Sequence, residues 1–131
     1  MLNFSAQIFA LDFNYYALLS LFGIVVNLIL LYLVIYRGLK NSTNNWFTLF
    51  LCTIVLWGTS EFFGRLAATT EGAIFWGNFG APGWLFLGPT YFSFVLSFVG
   101  KESFLEGLGR KFITYGSGLV FLFLVWTTNL V

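Results

Sequence analysis

The run ALLSLFGIVVNLILLYLVIY, Ala17 to Tyr36, contains no charged residue and is closed by Arg37 and Lys40. A helix needs about 20 mostly apolar residues to cross a hydrocarbon core of roughly 30 Å. This run has that length, so it predicts a membrane-crossing helix over residues 16–36. Three further stretches obey the same logic: Trp46 to Leu66, Ala73 to Val99, and Phe112 to Asn129. A strand in lipid would leave backbone groups unsatisfied unless it closed into a barrel. The alternation of apolar and polar residues that a barrel requires is missing. The expected fold is therefore an all-α membrane protein of one domain over 1–131, with four transmembrane helices packed as an antiparallel bundle.

Composition agrees. The chain is 59% hydrophobic and only 8% charged, whereas soluble domains carry about 25% charged residues. Its partner is the lipid bilayer, and the expected location is the cell (plasma) membrane, crossed several times. A net charge of +1 with no basic stripe gives nothing to neutralise phosphates, so no nucleic-acid partner is expected. The amino terminus, MLNFSAQIFALDFN, lacks the basic start of a cleavable signal, so the first span reads as retained. Cys52, alone of its kind, lies in an apolar run and reads as a small core residue.

Orientation is set by Lys and Arg in short loops. RGLKNSTNN (37–45) holds Arg37 and Lys40, and KESFLEGLGRK (101–111) holds Lys101, Arg110 and Lys111, against Arg65 alone on the other side. Both basic loops are expected in the cytoplasm and both termini outside. The second helix then runs outward. Glu61 lies 15 residues beyond Trp46, roughly 22 Å along a helix at about 1.5 Å per residue. That depth is the outer part of the bilayer, with Arg65 at its edge.

Charges within spans are costly and mark functional sites by default. LWGTSEFFGRLAATTEG, Leu56 to Gly72, sets Glu61 and Arg65 one turn apart in the favourable acid-before-base order. Thr53, Trp57, Glu61 and Arg65 share one i+4 stripe, expected to turn into the bundle. Two readings stand: an outward-facing pocket, or an internal ion pair whose Arg reaches the headgroups. Asn27 reads as an amide bonding across helices.

The third span is expected to be kinked or broken by Gly80, Pro82, Gly83, Gly88 and Pro89, since proline removes a donor and clashes with the preceding turn. Ala73, Gly77 and Ala81 have the spacing that lets helices approach closely. Phe75, Trp76, Phe79, Trp84 and Phe86 would wall a cavity or form an interfacial belt. The candidate ligand-binding residues are Glu61, Arg65, Trp57, Trp76, Asn78 and Trp84.

Catalysis has little to work with. The sequence has no histidine, the commonest general base and metal ligand. It also has no phosphate loop, zinc cluster or dinucleotide fingerprint. No catalytic residue, metal site or cofactor is expected, and the chain by itself is not expected to be an enzyme.

The stretch VLWGTSEFFGRLAATTEGAIFWGNFGAPGWLFLGPTYFSFVLSFVGKE, Val55 to Glu102, resembles the N-terminal seven-helix membrane region of some prokaryotic histidine kinases and related signalling proteins. The residues that carry the likeness are Leu56-Trp57 with Glu61, Phe75-Trp76, Gly83-Trp84, Pro89, the Phe-rich run 92–98, Gly100-Lys101 and, later, Thr128-Asn129. The resemblance implies a sensor with an external N-terminus, seven helices and a cytoplasmic output module. With four spans, the chain reads as the first half of that region, cut short after WTTNLV. Further transmembrane helices, an output domain or a second copy are the partners implied. The rival expectation is a small four-helix transporter or channel subunit acting as an oligomer, with Glu61 as its coupling residue.

Overall fold

The computed structural model describes residues 3–128. The described residues are predominantly helical, with one isolated bridge and no strand. A short α1 (Phe4–Ile8) precedes three long helices, α2 (Tyr15–Arg37), α3 (Ser42–Leu66) and α4 (Thr70–Phe98). A 3₁₀ turn (Glu102–Leu105), the single turn α5 (Leu108–Lys111), a π-helical turn (Phe112–Gly116) and α6 (Ser117–Thr128) complete it. Asn129 of the Thr128-Asn129 pair lies outside the described residues.

Each long helix begins where a side chain can take over an orphan amide. Asn14 accepts from the Tyr16 amide at 2.9 Å, Asn41 from Thr43 at 3.0 Å, and Thr69 from Gly72 at 3.1 Å. Glycines at positive φ turn the chain away at two of the far ends, Gly38 (φ 99°) after α2 and Gly100 (φ 73°) after α4. Such angles are nearly free for glycine and costly for other residues.

α2, α3 and α6 with its preceding turns (Tyr15–Arg37, Ser42–Leu66, Gly109–Thr128) are long and apolar enough to cross a membrane. α4 is longer still at 29 residues, about 44 Å at 1.5 Å per residue, but small and polar residues dilute its hydropathy. Among the described residues the helices form an open row, α2–α3–α4–α6, rather than a closed ring. α2 packs on α3 alone, and α6 packs on α4. The outer faces of α2 and α6 are correspondingly apolar and exposed, with Ala17 the one buried residue of α2.

α3 and α4 make the most extensive contact. They run antiparallel: the Thr43 and Ser97 hydroxyls bond at 2.9 Å at one end, and Gly64 lies against Trp76 at the other. The tightest approach is at Gly80 and Gly83. A Cβ on Gly80 would sit 1.8 Å from Ser60 Oγ, and one on Gly83 would sit 2.7 Å from the Trp57 amide nitrogen. The close seam is thus 76/80/83, one residue behind the expected Ala73, Gly77 and Ala81, while Gly72 packs against the Gln7 carbonyl and Ala67 instead. Ala81 is buried, but Ala73 is exposed.

Three other expectations are corrected. α4 is not broken, its helix continuing through Pro82 and Pro89. Pro82 has no N–H to give the carbonyl four residues earlier, that of Asn78, and the Trp126 indole of α6 donates to that carbonyl instead, at 2.8 Å. Asn27 bonds within its own helix, to the Gly23 carbonyl at 2.7 Å, not across to a neighbour. Cys52 is exposed on the surface of the row rather than buried in a core.

The amino-terminal segment straps the α3–α4 turn. Leu11 bridges Ala67, the Asp12 amide donates to the Leu66 carbonyl at 2.7 Å, and the Ala68 amide donates to the Ala10 carbonyl at 2.8 Å. Thr69, while capping α4, also donates its hydroxyl to the Gln7 carbonyl at 2.9 Å. The strap lies at the end of the row that carries Arg65.

Candidate functional site

The two faces of α4 explain where the aromatic residues go. With 100° per residue, positions 73, 77 and 84 fall on one stripe and positions 76, 80 and 83 on the adjacent one. The second stripe is pressed onto α3, so Trp76 is buried and stacks on Phe63 with ring centres 4.6 Å apart. The first stripe stands just off the contact and leaves a gap. That gap is a cavity of about 300 Å³ between α3 and α4, lined by Trp57, Ser60, Glu61, Gly64 and Arg65 from α3 and by Ala73, Gly77 and Trp84 from α4.

Four of the six candidate residues therefore meet in one place: Trp57, Glu61, Arg65 and Trp84. Trp76 does not line that cavity and serves the helix seam. Asn78 faces a different, apolar cavity of about 420 Å³ with Leu56, Phe75, Phe79, Pro82 and Trp126. Its Oδ1 is buried without a hydrogen-bond partner among the described residues.

The ion pair is one-sided. Arg65 Nη2 lies 2.6 Å and Nε 2.8 Å from the same oxygen, Glu61 Oε1. Glu61 Oε2 and Arg65 Nη1 have no partner among the described residues. Both side chains remain about two-fifths exposed (41% and 45%), so this is a pair at the wall of an opening rather than a sealed core bridge. Glu61 and Trp57 also border a second gap of about 180 Å³, between α2 and α3, with Ser20, Ile24 and Asn27. The two residues form the partition between the gaps on either side of α3.

The family model for the N-terminal 7TM region of histidine kinase matches residues 19–131, nearly the whole chain. The chain belongs to this family. No curated protein and no solved structure gives a significant match. As a histidine-kinase 7TM region it is a membrane protein of the signal-transduction type. The residues that carried the resemblance divide by role. Leu56-Trp57 with Glu61, Phe75 and Trp84 border the cavities, whereas Trp76, Gly83 and Pro89 belong to helix packing.

Sequence reading missed one polar cluster in this 7TM region. Tyr115, on the π-helical turn, hydrogen-bonds with the buried Ser93 hydroxyl and lies 3.4 Å from the Pro89 carbonyl. Its ring stacks between Trp46 (centres 6.3 Å apart) and Phe86 (6.5 Å). A π turn inserts an extra residue and rotates the helix beyond it, a device common at functional sites. Ser93 and Tyr115 are 22 residues apart, so no local pattern announces their pairing.

Proposed function

We propose that this chain is the stimulus-receiving part of a histidine-kinase-type receptor, with the α3–α4 cavity open to the outside. The observation that carries the reading is the convergence of Trp57, Glu61, Arg65 and Trp84 on one cavity at the Arg65 end of the row. In this reading α4 is a fourth crossing helix, the chain is multi-pass in the plasma membrane, and both termini lie outside. The loop charges support that orientation: Arg37, Lys40, Lys101, Arg110 and Lys111 belong to one end of the antiparallel row and Arg65 to the other.

The chain binds rather than catalyses. Filling the cavity wedges α3 against α4, and because the helices meet at glycines with no slack, displacement at the outer end is carried to the Thr43–Ser97 end. Close-packed contacts of this kind shift between discrete arrangements rather than deforming smoothly. The bare outer faces of α2 and α6 suit further transmembrane helices, beyond which a cytoplasmic output domain would read the movement.

Topology is the test. In a Cys52→Ser background expressed in intact cells, Ala73→Cys reacts with a membrane-impermeant maleimide. Ser103→Cys reacts only after permeabilisation. The reverse pattern would overturn the outward-facing cavity.

A further inference from the structure

The chemistry of the cavity narrows what it can hold. It carries one cation, Arg65, and one anion, Glu61, so it has no net charge to offer a ligand of single sign. A singly charged ligand engages only one of the two free atoms, Glu61 Oε2 or Arg65 Nη1, and leaves the other unused. A ligand with both charges satisfies both members at once. The pair is built to allow this: Nε and Nη2 of Arg65 both converge on Oε1, leaving Oε2 for an ammonium and Nη1 for an anionic group without breaking the bridge.

The rest of the lining agrees. Indole is the best aromatic partner for a cation, and Trp57 and Trp84 border the cavity from opposite helices. Ser60 offers little, since its hydroxyl donates to the Trp57 carbonyl at 2.8 Å. Gly64, Ala73 and Gly77 give a smooth, small-residue floor. At about 300 Å³ the space lies at the bottom of the range of roughly 300–1,000 Å³ for small-molecule sites, the size of a headgroup rather than of a whole lipid or peptide.

We infer that the α3–α4 cavity binds a small zwitterion, its ammonium held by Glu61 Oε2 and the indoles of Trp57 and Trp84, its anionic group by Arg65 Nη1. The inference rests on the sensory reading above and names its ligand class. The zwitterion is either a free solute, such as an amino acid or betaine, or the headgroup of a zwitterionic lipid.

The test uses the whole chain with Cys52→Ser and Ala73→Cys, reconstituted in nanodiscs of phosphatidylglycerol, with the rate of maleimide labelling as readout. Glycine betaine or phosphatidylcholine slows labelling, while tetramethylammonium and acetate at equal concentration do not. Protection by betaine identifies a free solute, and protection by phosphatidylcholine alone identifies a headgroup. Glu61→Gln weakens the protecting affinity by about tenfold or more, as loss of a hydrogen bond to a charged group does. Trp84→Leu weakens it independently, should Glu61→Gln fail to fold. Labelling that neither zwitterion slows, or that the single ions slow equally, overturns the ligand class and leaves the cavity reading standing. Absence of labelling under any condition overturns both.

Discussion

The Trp126 indole donates to the Asn78 carbonyl at 2.8 Å, and Asn78 stands four residues before Pro82. The hydrogen bond that proline removes from α4 is thus restored from α6. This ties α6 to α4 at the point where α4 would otherwise break.

Trp126→Phe keeps most of the apolar contact and deletes only the donor. The orphaned carbonyl costs about 1–3 kcal/mol, read as a lower midpoint in denaturant-titrated unfolding in mixed micelles. Pro82→Ala returns an amide to the Asn78 carbonyl, so the same Trp126→Phe change made on that background costs much less. Equal costs on both backgrounds would show that the indole is not replacing the missing amide.

Gly80 and Gly83 give a paired prediction about the α3–α4 seam. A methyl at either overpacks the contact, typically by about 1–3 kcal/mol. At Gly80 the obstacle is the Ser60 side chain, with Oγ at 1.8 Å and Cβ at 2.5 Å, whereas at Gly83 it includes the Trp57 amide nitrogen at 2.7 Å and the Thr53 carbonyl oxygen at 2.8 Å. Ser60→Gly therefore rescues Gly80→Ala and does nothing for Gly83→Ala. Thermal unfolding of the single and double variants decides it, and rescue of both or of neither contradicts the geometry.

These two cases show how far the sequence could be read. Apolar run length is a local signal, and the helices it marks are present. The Glu61–Arg65 pair was equally legible, because i and i+4 meet on any helix. What local spacing does not contain is which stripe of α4 faces its neighbour. Ala73–Gly77–Ala81 and 76/80/83 differ by a single step of about 100°, and only the position of α3 selects the second. That choice sends Trp76 to the seam and Trp84 to the cavity. The repair of Pro82 by a residue 44 positions later, and the meeting of Tyr115 with Ser93, are likewise products of tertiary packing.

If Glu61 and Arg65 serve a ligand rather than the fold, removing the pair leaves stability nearly intact. Exposed i,i+4 pairs contribute about 0.3–0.5 kcal/mol, and both side chains here are about two-fifths exposed. Glu61→Gln is expected to shift the unfolding midpoint barely above error. A large destabilisation would make the pair an anchor.

Tyr115→Phe and Ser93→Ala each remove one partner of a shared hydrogen bond in a buried setting. Residues in contact show coupling energies of about 0.5–3 kcal/mol, so the double variant is expected to cost clearly less than the two singles added together. Simple additivity in the unfolding data would mean that the bond does not form.

The central claim is that water from outside reaches the groove between α3 and α4. On the Cys52→Ser background in intact cells, an impermeant maleimide is predicted to react faster with Ala73→Cys and Gly77→Cys, which line the groove, than with Ile74→Cys on the neighbouring face of the same turn. Equal rates at the three positions, or reaction at none of them until the membrane is opened, would contradict it.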